Sequence, residues 1–334
     1  GHHAQMAGIF GAALALTVPE IAEKLGGQVV FFATPAEEYG EIEFKNQLRE
    51  QGKIRYGGGK CELIRTGAFD DIDLCLAHHI QPGDEIQVGS GTGNGFVSKV
   101  IRYLGKAAHA AGAPDKGVNA LSAASLGLQA LGLNRETFRD EDCVRVHPII
   151  TKGGNLVNVI PDEIVIETLV RAKTIEAFTD AAKKTDRSFQ AGAVAMGAKV
   201  EITTLPGYLP TLAEQALPEL KRAAELAAPE VPVREAAGHS GGSTDVGDVQ
   251  HLMPVYTFNT GGVKGGLHQI NFEVTNEEEA YIDTAKMFAL AAYGLLKEKA
   301  ARSKELVKNY KPVFKDSAEY TKFMEQFDSK EVLD

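Results

Sequence analysis

The sequence lacks the features that direct a protein to a membrane or to nucleic acid. No apolar run reaches the roughly 20 residues that span a bilayer. The longest apolar stretch, residues 7–18, is interrupted by glycine and is predicted to be a core helix. There is no block of lysine and arginine, and the net charge is −10. An acidic chain of this kind does not favour nucleic acid or an anionic membrane as its main partner.

Cysteine is also scarce, and its spacing excludes a disulfide framework. Cys61, Cys75 and Cys143 are odd in number, widely separated and contain no C-x-x-C pair. This usage indicates a reducing compartment, and we expect a cytoplasmic protein.

Two glycine-rich stretches do not have the spacing of nucleotide-binding loops. "YGGGKC" has Ile54 where a P-loop needs glycine and Cys61 where it needs serine or threonine. "GSGTGNG" at 89–95 lacks the G-x-G-x-x-G spacing and precedes no helical pattern. The sequence therefore gives no indication of a phosphate cofactor.

Both ends of the chain alternate between apolar strand patterns and helical patterns, which predicts an α/β fold with a mainly parallel sheet. A chain of 334 residues, 44% of them hydrophobic, can form one large or two ordinary domains. Strands are predicted at 28–33, within 72–83 and at 253–259, and helices at 4–25, 43–52, 212–228 and 276–299.

The middle of the chain has a different pattern. After the glycine-rich stretch, the order of elements is β-α-β-β-α-β, which fits a ferredoxin-like sandwich of about 110 residues. We therefore predict one domain of residues 1–93 and 207–334 with a second domain of residues 94–206 inserted into it. The glycine- and proline-marked ends of the insert, "GTGNG" and "LPGYLP", are expected to act as hinges. The charged tail after residue 300 is expected to pack on the surface.

Two adjacent glutamates, Glu37 and Glu38, follow Pro35 at the end of the first predicted strand. Neighbouring carboxylates repel one another unless a cation holds them. Open α/β sheets bind ligands at the carboxyl ends of their strands. The pair is therefore a candidate for chemistry as well as for a solvated loop.

Histidines complete the constellation. His2, the pair His78 and His79, and His268 each lie at a predicted strand end or in a loop of the α/β part. Imidazole and carboxylate are the ligands of catalytic Zn²⁺ or Mn²⁺ sites. One glutamate can hold a metal while its neighbour takes a proton from the attacking water. The pattern favours a metallohydrolase.

Two alternatives stay open at this point. "GHSGG" matches the G-x-S-x-G nucleophile elbow around Ser240, and Asp245, Asp248 and His268 follow it in the chain. An elbow needs a hydrophobic strand directly before it, and "VPVREAAG" is a poor one. The other alternative is a non-catalytic protein that binds a ligand or only dimerises.

Several stretches in a fixed order across residues 1–290 resemble one family. They are "GHHAQMAGIFGAALAL", "TPAEE", "HIQP", "GKAAHAAGAPDKGVNAL" with "NVIPDE", and "GSTDVGDV" followed by "GGLH". The chain resembles the M20 metallopeptidase family, and most closely its amidohydrolase branch of aminobenzoyl-glutamate, auxin-conjugate and N-acyl-amino-acid hydrolases. The resemblance implies a hydrolase that cleaves the amide bond of N-acyl or N-aroyl amino acids with one or two Zn²⁺ or Mn²⁺ ions.

The resemblance also assigns roles to individual residues. Glu37 corresponds to the general base, His109 to a lid histidine that polarises the scissile carbonyl, often across a dimer, and Asn158 to a substrate contact. The expected metal ligands are His2, Glu38, His79 and His268. The resemblance further implies that residues 1–93 and 207–334 form the catalytic domain and that the inserted residues 94–206 form a lid domain, through which a homodimer forms.

The start of the chain departs from the family pattern. His3 stands where the family usually has aspartate or asparagine, and the cysteine expected before Gly1 lies outside the chain, as does an upstream strand region with an aspartate. From these departures we expect a chain that starts at Gly1 to bind metal weakly and to hydrolyse little or nothing, with the lid as its better-ordered half.

Overall fold

The computed structural model describes residues 1–334 and is a mixed α/β fold of ten α-helices and fourteen strands. The helices are α1 His2–Leu16, α2 Pro19–Ala22, α3 Ile42–Glu50, α4 Gly59–Arg65, α5 Ala120–Asn134, α6 Ile175–Met196, α7 Pro218–Ala227, α8 Val246–Gln250, α9 Thr284–Asn309 and α10 Ser317–Met324. The strands are β1 Cys75–Ile80, β2 Ile86–Val88, β3 Thr92–Gly93, β4 Gly95–Leu104, β5 Arg145–Val146, β6 Ile149–Lys152, β7 Glu163–Ala172, β8 Lys199–Pro206, β9 Val233–Glu235, β10 His239–Ser240, β11 Val255–Thr260, β12 Val263–Lys264, β13 Glu273–Val274 and β14 Ser329–Leu333. No helix combines the length and the apolar character needed to cross a membrane.

A four-stranded sheet is built from both ends of the chain, in the order β1-β11-β2-β9. β1 runs parallel to β11 and β2 runs parallel to β9, whereas β11 and β2 are antiparallel. Helix α1 packs on α9 through small residues at every fourth position, such as Ala4, Gly8 and Ala12. A Cβ atom at Gly8 would lie 2.4 Å from the side chain of Thr284, so glycine allows this close helix contact.

The strand predicted at 28–33 is wrong: this segment has no regular secondary structure. No neighbouring strand supplies ladder hydrogen bonds to it, and Val30 and Phe31 are partly exposed. Phe32 instead stacks on Phe69 with ring centroids 4.6 Å apart. A short apolar run cannot reveal whether its backbone will find a partner, which is why the pattern misled. The first predicted helix is also shorter than expected, because α1 ends at Leu16.

A six-stranded antiparallel sheet forms the middle of the molecule, in the order β14-β8-β4-β7-β5, with β6 also paired to β7. Helices α5 and α6 pack on each other and against this sheet. Alternate residues of β7, such as Ile164, Ile166 and Val170, are fully buried in the core. Leu169 and Arg171 point to the opposite face of the sheet.

The C-terminal strand β14 was not anticipated. It pairs with β8 at the edge of the six-stranded sheet, and Tyr320 and Phe327 just before it are buried. Residues 329–333 carry charged side chains and no clear apolar alternation, as is common for edge strands. The tail therefore completes a sheet instead of lying loosely on the surface.

The chain crosses between the two sheets at tightly packed connections. A Cβ atom at Gly95 would lie 2.6 Å from the backbone nitrogen of Pro210, so only glycine fits there. Asn94 is fully buried, donates to the carbonyl of Cys143 at 3.0 Å and contacts Nε2 of His239 at 3.1 Å. These contacts attach the crossings to the loop around residue 240, which leads to the candidate site.

Candidate metal centre and substrate cavity

Three predicted site residues come together where the start of α1 meets the segment after Pro35. Nε2 of His2 lies 3.3 Å from Oε2 of Glu37 and 4.0 Å from Oε1 of Glu38. One ligand atom from each of the three side chains lies within 4.8 Å of the others. His268 joins them, because its Nε2 is 3.6 Å from Oε1 of Glu38.

Strand β1 orients the two adjacent histidines to opposite faces of the sheet. His78 is buried, its Nε2 lies 2.8 Å from Oγ1 of Thr260, and burial lowers its pKa to about 3. His79 is exposed on the other face, with its ring centroid 6.1 Å from that of His2. The structure thus turns His79, and not His78, toward the cluster.

This set of donors fits a divalent cation. It offers imidazole nitrogens and carboxylate oxygens, and the side chains of His2 and Glu38 are 44% and 58% exposed, so the cluster is open to a ligand. The backbone of His268 has a positive φ of 61°, which is uncommon for a residue other than glycine. His3 does not join the cluster, since its ring packs on Tyr281 at 5.9 Å.

The two carboxylate oxygens of Glu37 have different partners. Oε2 faces His2, while Oε1 accepts a 3.1 Å hydrogen bond from the hydroxyl of Thr244. The backbone carbonyl of Glu37 also accepts a hydrogen bond from the Tyr208 hydroxyl. Glu37 is therefore held in position from three directions.

The loop that carries Thr244 is anchored by a buried ion pair. Nζ of Lys60 lies 2.6 Å from Oδ1 of Asp245, whose side chain is fully buried, and the Lys60 backbone N–H donates to Oδ2 at 2.9 Å. Sequence patterns did not single out Lys60 or Thr244, because both contacts join residues far apart in the chain.

The predicted lid residues lie close to each other but away from the cluster. The backbone N–H of Ala110 donates to the carbonyl of Asn158 at 2.9 Å, and His109 forms a bridge with Val159. His109 and Asn158 are both exposed, and neither lines the cavity at the cluster. Nδ1 of His109 accepts a 3.0 Å hydrogen bond from the N–H of Gly112, so the neutral ring carries its proton on Nε2.

The residues of the possible serine triad are engaged elsewhere. Oγ of Ser240 accepts a hydrogen bond from the N–H of Gly242 at 3.1 Å, and no histidine hydrogen bonds to it. Asp245 pairs with Lys60, Asp248 accepts a 2.8 Å hydrogen bond from Tyr320, and His268 contacts Glu38. The geometry therefore forms no Ser–His–Asp triad.

The cluster opens into a cavity of about 1710 Å³ between the two sheets. Arg171 from β7 lines this cavity as well, donates to Oγ of Ser243 at 3.1 Å and lies over the ring of Phe96 at 5.4 Å. Burial lowers its pKa from the usual value, and the nearby Glu38 opposes that effect. Sequence reasoning missed Arg171; the available signal was that it is the one cation of β7.

Comparison with known proteins places the chain in a family. The family model of Peptidase family M20/M25/M40 matches residues 1–293. The chain belongs to this family. Its M20 membership agrees with the motif order read from the sequence.

Among curated M20 relatives, an Xaa-Arg dipeptidase from Mus musculus is 28% identical over 312 residues, covering 90% of this chain and 65% of the relative. An indole-3-acetyl-aspartic acid hydrolase from Enterobacter agglomerans is 26% identical over 228 residues, covering 65% of this chain and 48% of the relative. The chain thus spans no more than about two thirds of the length of these relatives.

Solved structures share the fold. An aminobenzoyl-glutamate utilization protein from Klebsiella pneumoniae superposes with a TM-score of 0.61 at 20% identity, covering 87% of this chain and 67% of that one. A dinuclear metal-binding M20 peptidase from Bacillus subtilis gives a TM-score of 0.55 at 22% identity, covering 86% of this chain and 70% of that one.

Proposed function

We propose that the protein is a metal-dependent hydrolase that cleaves the amide bond of N-acyl or N-aroyl amino acids. The observation that carries the proposal is the convergence of His2, Glu37 and Glu38, with His268 beside them, at the mouth of a large cavity. The proposed metal ligands are His2, Glu38, His79 and His268. One or two ions of Zn²⁺ or Mn²⁺ bound there would act as a Lewis acid toward the scissile carbonyl.

Glu37 acts as the general base in this proposal. Its Oε1 is held by Thr244, which leaves Oε2 directed toward the cluster. The carboxylate takes a proton from the attacking water and later delivers it to the leaving amine.

His109 stabilises the oxyanion of the tetrahedral intermediate through its Nε2–H. A single donor of this kind contributes about 3 kcal/mol in comparable enzymes. Because His109 does not line the cavity of its own chain, we propose that it serves the site of a second subunit in a homodimer. Two exposed apolar residues of the segment that pairs with His109, Leu156 at 64% and Val157 at 103%, and the exposed Ile149 of β6, at 61%, support a contact surface on this part of the molecule.

Residues 94–206 form an inserted lid and dimerisation domain in this proposal. The order β8-β4-β7-β6 with α5 and α6 packed against the sheet supports the ferredoxin-like arrangement expected from the sequence. The rest of the chain, residues 1–93 and 207–334, forms the catalytic domain, with strand β14 reaching across to the lid sheet.

The amino-acid half of the substrate is bound by polar groups of the six-stranded part of the molecule. Arg171 is a cation inside the cavity and suits the carboxylate of the leaving amino acid, and Asn158 contacts the substrate from beside His109. The names of the relatives and of the similar structures include arginine, aspartate and glutamate. Membership of the family therefore does not identify which amino acid the substrate carries. The three unpaired cysteines suit a reducing compartment, and we propose a cytoplasmic location.

A hydrolysis panel tests the proposal. N-acetyl and N-benzoyl amino acids are incubated with the full-length gene product after addition of Zn²⁺, Mn²⁺ or a chelator, and metal binding is measured by calorimetry. We expect metal-dependent hydrolysis, and a fall of about 10²–10⁴ in kcat for Glu37→Gln, because the amide keeps the shape but cannot accept the proton. Glu41→Gln, on the same exposed segment, is the matched control.

Three results would contradict the proposal. Near-normal turnover by Glu37→Gln would show that Glu37 is not the general base. Activity that resists the chelator and is lost with a serine-directed inhibitor would favour Ser240. Binding of metal and acyl amino acids without any hydrolysis would favour a non-catalytic binding protein.

A further inference from the structure

A second pocket lies beside the main cavity and carries a concentration of positive charge. Its volume is about 390 Å³, and it is lined by Arg145, His147, Leu169, Arg171 and Gly241. Leu169 and Arg171 also line the main cavity, so the second pocket adjoins the site at which the amino-acid half of a substrate would lie.

The strand register places the two arginines side by side. In the antiparallel pair of β5 and β7, Arg145 lies directly opposite Arg171, and both side chains emerge on the same face. The neighbouring pair, Val146 and Val170, points the other way and is buried in the core. Like charges directly opposite each other destabilise a sheet, so an anion bound between or above the two guanidinium groups would stabilise this arrangement.

No carboxylate of the chain forms an ion pair with either arginine, although the charge of Glu38 acts on Arg171 from a longer distance. The guanidinium of Arg145 donates to the carbonyl of Val144 at 2.8 Å, Arg171 contacts Ser243 and Phe96, and neither forms an ion pair. Lys173 lies two residues beyond Arg171 and forms no ion pair either.

The surroundings agree with a positive field at this place. The carboxylates of the nearby acidic turn 140–142 do not line the pocket, and that of Glu141 is paired with Arg139. The pKa of His239, close by, is lowered first by burial and then by the cations Lys173 and Arg145. A positive pocket in a chain of net charge −10 is a local feature that a ligand can use.

We propose that Arg145 and His147 form a second anion subsite that binds the side-chain carboxylate of an acidic amino acid. The inference rests on the proposed function: Arg171 holds the α-carboxylate, and the adjoining pocket receives the carboxylate of an aspartate or glutamate side chain. The preferred substrates are then N-acyl-aspartates and N-acyl-glutamates, and conjugates of arginine are disfavoured by charge repulsion.

A matched substrate series tests the subsite. Binding by calorimetry and kcat/KM are measured for N-benzoyl-glutamate, N-benzoyl-glutamine and N-benzoyl-arginine. Glutamate and glutamine have nearly the same shape, so their ratio isolates the charge. Because hydrogen bonds to charged groups are the stronger ones, we expect glutamate to be preferred about 10-fold or more.

Variants identify the residues responsible. Arg145→Gln should reduce the glutamate-to-glutamine ratio to about 2-fold or less, because it lowers the value for glutamate far more than the value for glutamine, and Arg145→Lys should restore part of the preference. His147→Gln should lower the ratio by a smaller factor. Arg222→Gln, an exposed arginine on α7, is the control and should change nothing.

The outcomes separate the subsite from the proposed function. If all three conjugates are hydrolysed equally, or arginine is preferred, or Arg145→Gln keeps the wild-type ratio, the subsite is wrong and the amidohydrolase proposal stands. If no acyl amino acid is bound or hydrolysed, the proposed function fails, and the subsite fails with it.

Discussion

The hydroxyl of Thr244 donates a 3.1 Å hydrogen bond to Oε1 of Glu37, across 207 positions of the chain. The contact joins the loop before α8 to the segment after Pro35. It fixes one carboxylate oxygen and leaves the other 3.3 Å from His2. Thr244 is therefore a positioning residue for the proposed general base.

Replacement of Thr244 by valine tests this relationship. Valine has the same shape but cannot donate, so Glu37 loses a hydrogen bond to its charged form, and we expect kcat to fall about 10- to 100-fold with KM little changed. Thr244→Ser retains the hydroxyl and should stay near wild type. Equal activity of the valine and serine variants would show that the hydrogen bond does not matter.

The ion pair between Lys60 and Asp245 gives a prediction about stability. Asp245 is fully buried, so Lys60→Met leaves a buried carboxylate without its cation and should cost about 3–5 kcal/mol in the free energy of unfolding. The double variant Lys60→Met with Asp245→Asn also removes the buried negative charge, and its asparagine oxygen still accepts from the backbone N–H of residue 60. It should therefore recover part of the lost stability. Urea unfolding measures both. If the single and double variants are equally stable, the pair does not anchor the loop.

The sequence identifies the residues of the candidate site better than it predicts the contacts that these residues make. His2 lies at the start of α1, Glu37 and Glu38 follow the irregular segment 28–33, and His268 lies in the loop between β12 and β13. The sequence therefore identified these residues, although the strand expected before Glu37 is absent. Side chains alternate between the two faces of a sheet along a strand, so the sequence of β1 also predicts that His78 and His79 lie on opposite faces.

Contacts between residues that are far apart in the chain could not be predicted from the sequence. The segment 28–33 has the apolar pattern of a strand, but no strand pairs with it. Strand β14 pairs with β8, although its sequence lacks the apolar alternation of a strand. Arg171 and Thr244 owe their positions to packing between the two sheets. Whether a backbone finds a neighbour is a tertiary property that periodicity does not contain.

A buried glutamate outside the site predicts a dependence of stability on pH. Burial raises the pKa of Glu214 to about 8; its Oε1 accepts from the N–H of Thr257 at 3.0 Å, and its Oε2 is buried without a partner. The folded state therefore binds this proton more tightly than the unfolded state does. Between the ordinary glutamate pKa and about pH 8, the free energy of unfolding should fall as pH rises.

Glu214→Gln removes this contribution and should flatten the decline. Urea midpoints at pH 5, 6, 7 and 8 measure it, with exposed Glu230→Gln as the control. Some slope should persist, because burial also raises the pKa of Asp248 to about 8. If Glu214→Gln and the wild type lose stability in parallel over this range, Glu214 is ionised in the folded protein.

The last prediction concerns the sharing of a site between two subunits. His109 is exposed and does not line the cavity that contains Glu37, yet its Nε2–H is free to donate. If the histidine of one subunit serves the other, His109→Ala and Glu37→Gln subunits complement each other. A heterodimer then has one intact site, so random assortment of a two-fold dimer should restore about a quarter of wild-type activity to the inactive variants. Each variant mixed with itself is the control, and native mass spectrometry verifies that heterodimers form. Heterodimers without activity would place His109 in the site of its own subunit or outside catalysis altogether, and a monomeric protein would exclude sharing.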